Sequence, residues 1–180
     1  MKKKILFFSE SLDGGGAETA LNNIVKYLDK DAFDITVVSE TDGERFTEEI
    51  KKNSRHKSFT HKSSSPVKSS LNKIIIKGSL LLPPAAVKRL YIPGKYDIEV
   101  AACEGFSTKI IAGSQNKNSI KIAYVHTDFV NNPWSISVYK NEEEEKENTL
   151  ALALSAFRSR LNPSMLETHR ELIFEILKRD

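Results

Sequence analysis

Three short stretches hold residue types that could do chemistry, and each follows an apolar run. Gly14, Gly15 and Gly16 follow Lys4–Phe8 (KILFF) closely, Glu104 and Gly105 come just after Tyr96–Ala102 (YDIEVAA), and His126 ends Ile120–His126 (IKIAYVH). Three successive glycines let a backbone approach a diphosphate without Cβ clashes, and a helix starting there aims its positive end at the same anion. The stretch is not a G-x-G-x-x-G dinucleotide fingerprint, because Ala17-Glu18-Thr19 supplies no third glycine, and no G-K-[ST] follows to make a Walker loop. A tight turn chosen for geometry is the plain alternative for the glycines. For Glu104 it is a cap on the following turn or helix, and for His126 a hydrogen-bonded residue at a strand end. Cys103 is the single cysteine, which excludes an intrachain disulfide and a Cys-rich metal site. It reads as a small core or loop residue, with a nucleophile as the alternative. His56, His61 and His169 show no ligand-like spacing.

These residues need elements to position them. Lys4–Phe8 reads as a strand, Asp13–Gly16 as a turn, and Ala17–Leu28 as a helix with Leu21, Ile24, Val25 and Leu28 at helical spacing. Phe33–Ser39 (FDITVVS) is a β-branched strand, which completes a right-handed βαβ unit. Glu44–Lys52 is a short helix, and Asn53–Ser70, rich in Ser, Lys and His, reads as a mobile loop. Pro83-Pro84 interrupts the basic, apolar stretch Leu71–Ile92 and breaks any helix there. Tyr96–Ala102 and Ile120–His126 are strands flanking a helix at Ser107–Ala112. Strands and helices alternating at this spacing predict an α/β fold, a Rossmann-like parallel sheet with helices on both faces. The domain is expected over 1–146, with 53–92 a basic loop or amphipathic insertion and 147–180 a helical tail. Trp134 is a candidate sugar-stacking aromatic or a loop anchor, and Glu142–Glu145 a solvated helix face.

With 180 residues, 39% hydrophobic and 28% charged, the composition is that of one globular domain. The apolar run after Met1-Lys2-Lys3-Lys4 stops at Ser9-Glu10, too short for a signal peptide, so a cytoplasmic protein is expected. The net charge of +3 is unevenly spread: from residue 50 to 96 there is no Asp or Glu, against eleven Lys and Arg. That segment predicts attraction through 51–95 to an anionic membrane surface or to a lipid-diphosphate acceptor, with Ile74–Ile76 and Leu80–Leu82 dipping into the interface. A solvated, locally disordered insertion is the alternative. No nucleic-acid partner is expected, since the basic segment lacks interleaved aromatics on a binding scaffold.

The stretch Lys4–Leu21 (KILFFSESLDGGGAETAL) resembles the start of family 4 retaining glycosyltransferases, in which the first strand runs into a Gly-Gly-Ala-Glu turn and a helix. Tyr96–Ala101, Glu104-Gly105-Phe106 and Lys121–Asp128 (KIAYVHTD) are similar to a surface-polysaccharide branch of those enzymes. The likeness covers Lys4 to about Lys146. It implies the N-terminal half of a B-type glycosyltransferase fold, two Rossmann-like halves facing a cleft. The N-terminal half would bind the acceptor; the other, here absent, would bind a nucleotide-sugar donor. The implied reaction transfers a sugar with retention, without a metal or other cofactor. Carried over, Gly14, Gly15 and Gly16 would lie beside the donor diphosphate, His126 would face the transfer cleft, and Glu104 and Gly105 would line the acceptor side. Thr149–Arg160 (TLALALSAFRSR) departs from the strand expected there. Two readings follow: an incomplete glycosyltransferase half, weak or inactive alone, or a non-catalytic acceptor- or membrane-binding subunit pairing with a separate donor-binding chain.

Overall fold

The structure, a computed structural model, describes residues 1–126. The expectations for Trp134, Glu142–Glu145 and the helical tail lie outside the described residues. Ten elements follow one another: β1 (Lys3–Ser9), α1 (Gly16–Tyr27), β2 (Phe33–Asp42), α2 (Thr47–Asn53), β3 (Arg55–His61), α3 (Pro66–Leu81), α4 (Pro84–Tyr91), β4 (Ile98–Ala101), α5 (Phe106–Ala112) and β5 (Ile120–Ala123). The five strands form one sheet in the order β3-β2-β1-β4-β5, every pairing parallel. This is the α/β, Rossmann-like arrangement expected from the alternation of strands and helices.

β1 sits at the centre because it can be dry on both faces. Ile5 to Ser9 is buried without a break, the continuous apolar signature of a parallel-sheet interior strand. Alternate residues serve opposite layers. Ile5 and Phe7 join Ile35, Val37 and Val100 beneath Leu21 and Val25 of α1 and Ile50 of α2. Leu6 and Phe8 join Val38 and Ala101 beneath Val87 of α4 and Phe106, Ile110 and Ile111 of α5. Helices therefore cover both faces.

Glu99 of β4 enters this second layer as a fully buried carboxylate, 3.3 Å from the Lys88 ammonium of α4. Apart from that ion pair, neither Glu99 oxygen has a hydrogen-bond partner among the described residues. Burial holds the Lys88 ammonium below the ordinary lysine range, and the charge of Glu99 pulls against it.

The expected mobile loop at Asn53–Ser70 is a misreading. It holds β3 and the start of α3. β3 (RHKSFTH) carries no apolar run because it is an edge strand, with Thr60 as its buried residue. Backbone pairing to β2, from Thr36↔Arg55 to Asp42↔His61, holds it in place. The stacking of Phe59 on Phe8, at 5.6 Å, and against Tyr91, at 4.3 Å, adds to it. α3 begins with Pro66 in its first turn, where a missing N–H costs nothing. Pro83-Pro84 separates α3 from α4, as expected.

Candidate functional site at the carboxyl edge of the sheet

From β1 the chain grows outward to β2 and β3, then crosses back through α3 and α4 to place β4 on β1's other side. The helices that follow β1 and β4 thus lie on opposite faces of the sheet, which makes the carboxyl ends of these two strands the switch point where α/β sheets place a ligand crevice. Gly14–Gly16, Glu104, Gly105 and His126 all fall on this edge.

The glycine loop forms one wall. Leu12 anchors it in the core, with its amide bonded to the Glu44 carboxylate and its carbonyl to the Phe46 amide. Gly14 has φ +115°, a left-handed conformation that side chains resist. A Cβ there would also lie 2.9 Å from Cδ of Arg45, which rests on it. Gly15 is the N-cap of α1 in extended conformation, with no side-chain cap. Its carbonyl accepts from the Thr19 amide at 3.0 Å and hydroxyl at 2.8 Å. Nothing lies within 4 Å of where a Gly16 side chain would be. The first-turn amides of α1 therefore have no helical acceptor and border open space at Gly16. Two cations flank the loop, Arg45 and Lys62, the latter 3.8 Å from Asp13.

The opposite wall is built by Glu104 and His126. Glu104 is buried, and its carboxylate accepts the His126 backbone N–H at 3.1 Å. The His126 ring meets the Ala102 carbonyl through Nε2 at 3.0 Å. A carbonyl only accepts, so Nε2 carries the proton and Nδ1 is left as the neutral ring's acceptor. His126 is exposed. Gly105, at φ +86°, turns the chain into α5. The structure thus brings Glu104 and His126 into contact, with Glu104 positioning His126, while the glycines' immediate neighbours are Arg45 and Glu18.

Sequence reasoning missed the acids that link the walls. Glu10, which opens the glycine loop, accepts the Ser107 amide of α5 at 3.0 Å. Burial raises its carboxyl to about 6, against hydrogen bonds from Ser107 and Phe106 that lower it. Burial, with the charges of Glu10 and Glu44 adding, pushes Glu40 up to about 8. Glu44 is raised as well, mainly by burial. At neutral pH the edge therefore holds a mostly protonated Glu40, which can both donate and accept. The only sequence signal for Glu10 and Glu40 was a carboxylate placed directly at the end of an apolar strand.

Other candidates resolve against catalysis. Burial, reinforced by the charge of Glu10, pushes the Cys103 thiol up to about 12, so it is no thiolate. Ser39, His56 and Asp42 mimic a hydrolase triad, with Ser39 Oγ 2.9 Å from His56 Nε2 and His56 Nδ1 3.9 Å from Asp42. Ser39 is fully buried and donates its proton to the Thr41 carbonyl, so no substrate reaches it. No three of the described His, Cys, Asp and Glu side chains are grouped to hold a metal ion. A cavity of about 920 Å³ bordered by Lys88, Lys95, Asn116 and Lys117 lies at the amino edge of β4 and β5 and takes no part in the crevice.

The crevice is an acid-rich edge with one exposed imidazole and the first turn of α1, whose N-cap Gly15 has the Glu18 carboxylate beside it. Its chemistry suits ligands with many hydroxyl groups, and an anion only at the amides and Arg45. No protein-family model matches the chain. No curated protein matches it either.

Proposed function

We propose that this chain is the acceptor-binding half of a retaining, nucleotide-sugar-dependent glycosyltransferase that acts on a polysaccharide or lipid-linked acceptor. On this reading it is weak or inactive without a donor-binding half. The observation that carries the reading is the pairing, across one switch-point crevice, of the glycine turn that opens α1 with the Glu104-held His126. The carboxyls of Glu10 and Glu40 favour acceptor over donor as the main ligand here. Half-buried acids of raised pKa can exchange hydrogen bonds with sugar hydroxyls, and where ionised they disfavour a free phosphate.

In this scheme Nδ1 of His126 accepts a hydrogen bond from an acceptor hydroxyl and helps position it. The amides at Gly15 and Gly16, with the guanidinium of Arg45 above Gly14, steady the charge that grows on the departing diphosphate. Glu104 acts through His126 rather than on the sugar.

The test is amide-resolved NMR of the purified chain with sugar acceptors and, separately, nucleotide sugars, alongside a transfer assay with labelled donor. Shifts at Gly14–Gly16, Gly105 and His126 are expected, with binding weakened about tenfold or more in His126→Ala. Gly15 has φ −75°, which any residue adopts, and a Cβ there would meet only the flexible end of the Glu18 side chain, which can swing away. Gly15→Val should therefore leave the circular dichroism unchanged and abolish transfer in the enzyme reconstituted with a donor-binding half. Binding without transfer, even with a donor-binding chain added, would make the protein a non-catalytic acceptor-binding subunit. Absence of shifts with both ligand classes overturns the assignment.

A further inference from the structure

α3 is turned inside out relative to an ordinary covering helix. At about 100° per residue, Val67, Leu71, Ile74, Gly78 and Leu81 fall within about an 80° arc that runs the helix's whole length, roughly 24 Å. That arc faces solvent: Val67 is 78% exposed, Leu71 54%, Ile74 66% and Leu81 87%. The opposite side, with half-buried Ile75 and Ile76 and buried Ser79, is the one turned to the protein. Single exposed apolar residues are ordinary, whereas an unbroken stripe along one helix marks an interaction surface.

The stripe's borders name the partner. Exposed Lys73 and Lys77 flank it on one side and Lys68 on the other. The chain has no carboxylate from residue 50 to 96 against eleven Lys and Arg. A second copy laid face to face would set lysine rows against lysine rows. An anionic bilayer surface offers negative charge at the level of the ammonium groups and an apolar layer beneath, and lysine stems reach up from that layer naturally. Among the described residues no helix is long and apolar enough to cross a membrane, so α3 would lie in the plane of the interface.

We propose that the outward face of α3 docks the protein on anionic lipid, with Val67, Leu71, Ile74 and Leu81 inserted between headgroups and Lys68, Lys73 and Lys77 holding phosphates. This stands apart from the sugar-transfer reading and needs no donor or acceptor to be tested.

The experiment is co-sedimentation of the full chain with phosphatidylcholine vesicles containing about one-third phosphatidylglycerol, and with pure phosphatidylcholine vesicles. Pelleting is expected with the anionic vesicles only, and is lost at ~0.5 M salt. The double variant Leu71→Asp, Ile74→Asp should bind at least about tenfold more weakly with an unchanged melting temperature. Lys73→Gln with Lys77→Gln should lose about fivefold for each lysine. Wild-type protein left in the supernatant with anionic vesicles overturns the proposal, as does equal pelleting of the Asp variant. So does a dimer that the Asp variant dissociates without any vesicle binding, which would make a second copy the occupant.

Discussion

α1 and α3 are helices of similar length attached to one parallel sheet, and they solve opposite problems. α1 turns Leu21 and Val25 into the core under Ile5, Phe7 and Val37 and leaves its polar side to water. α3 places Ser79 in its buried position and its aliphatic stripe outside. The difference teaches that hydrophobic periodicity marks a face without saying which way it looks. On α1 the sheet consumes that face. On α3, set against the edge strand β3, the sheet has little left to cover.

Substituting inside each stripe should separate the two helices most sharply. Leu21→Asp puts a charge into the α1 core and should cost about 3–5 kcal/mol, enough to leave much of the chain unfolded. Ile74→Asp on the α3 stripe should change stability by no more than ~0.5 kcal/mol. Urea denaturation of both variants decides this, and equal losses would mean that α3 is packed like α1.

A second, smaller effect locates where the basic segment turns inward. Lys88 lies on α4, the helix that follows the solvent-facing lysines of α3, yet it is buried against Glu99. Lys88→Met leaves that carboxylate alone in the sheet and should cost about 3 kcal/mol, most of it regained when Glu99→Leu is added. A single variant as stable as the wild type would place Lys88 with the surface lysines.

The last effect is a pH dependence at the crevice. An unfolded Glu40 releases its proton near 4.5, while the folded one holds it to about 8. Through that window the native state binds more protons than the unfolded state, so this residue makes stability fall as pH rises. Glu40→Gln should melt with the wild type at pH ~4.5 and at a clearly higher temperature at pH ~9. Parallel melting curves at both pH values would show that Glu40 is not held in a dry environment.

How far each region was legible follows from the same contrast. β1 and β2 were visible as strands because both their faces are buried, which forces a run of apolar and β-branched residues. β3 was invisible because backbone pairing and the ring contacts of Phe59 hold it, and RHKSFTH needs no apolar alternation to make either. α3 was half seen: its apolar content and its end at Pro83 were legible, but its Ser- and Lys-rich start read as loop. At the site, glycines betray themselves by type, so the turn into α1 was found. Glu10 and Glu40 were not, since what distinguishes them is burial by elements distant in sequence, and any surface glutamate carries the same letter.

The switch point also fixes an order of assembly. β1 meets β2 through one short helix, but it meets β4 only across 93 residues, where the Lys4 amide reaches Asp97. Closing so long a loop is slow compared with forming a local βαβ unit. On a ribosome the glycine turn therefore emerges and folds against β2 while the wall holding Glu104 and His126 is still unmade. Until β4 docks, the inner edge of β1 stands unpaired. Among the described residues the crevice is complete only once β4 and β5 have joined β1, so a chain stopped before residue 98 would hold the glycine turn and no wall to face it.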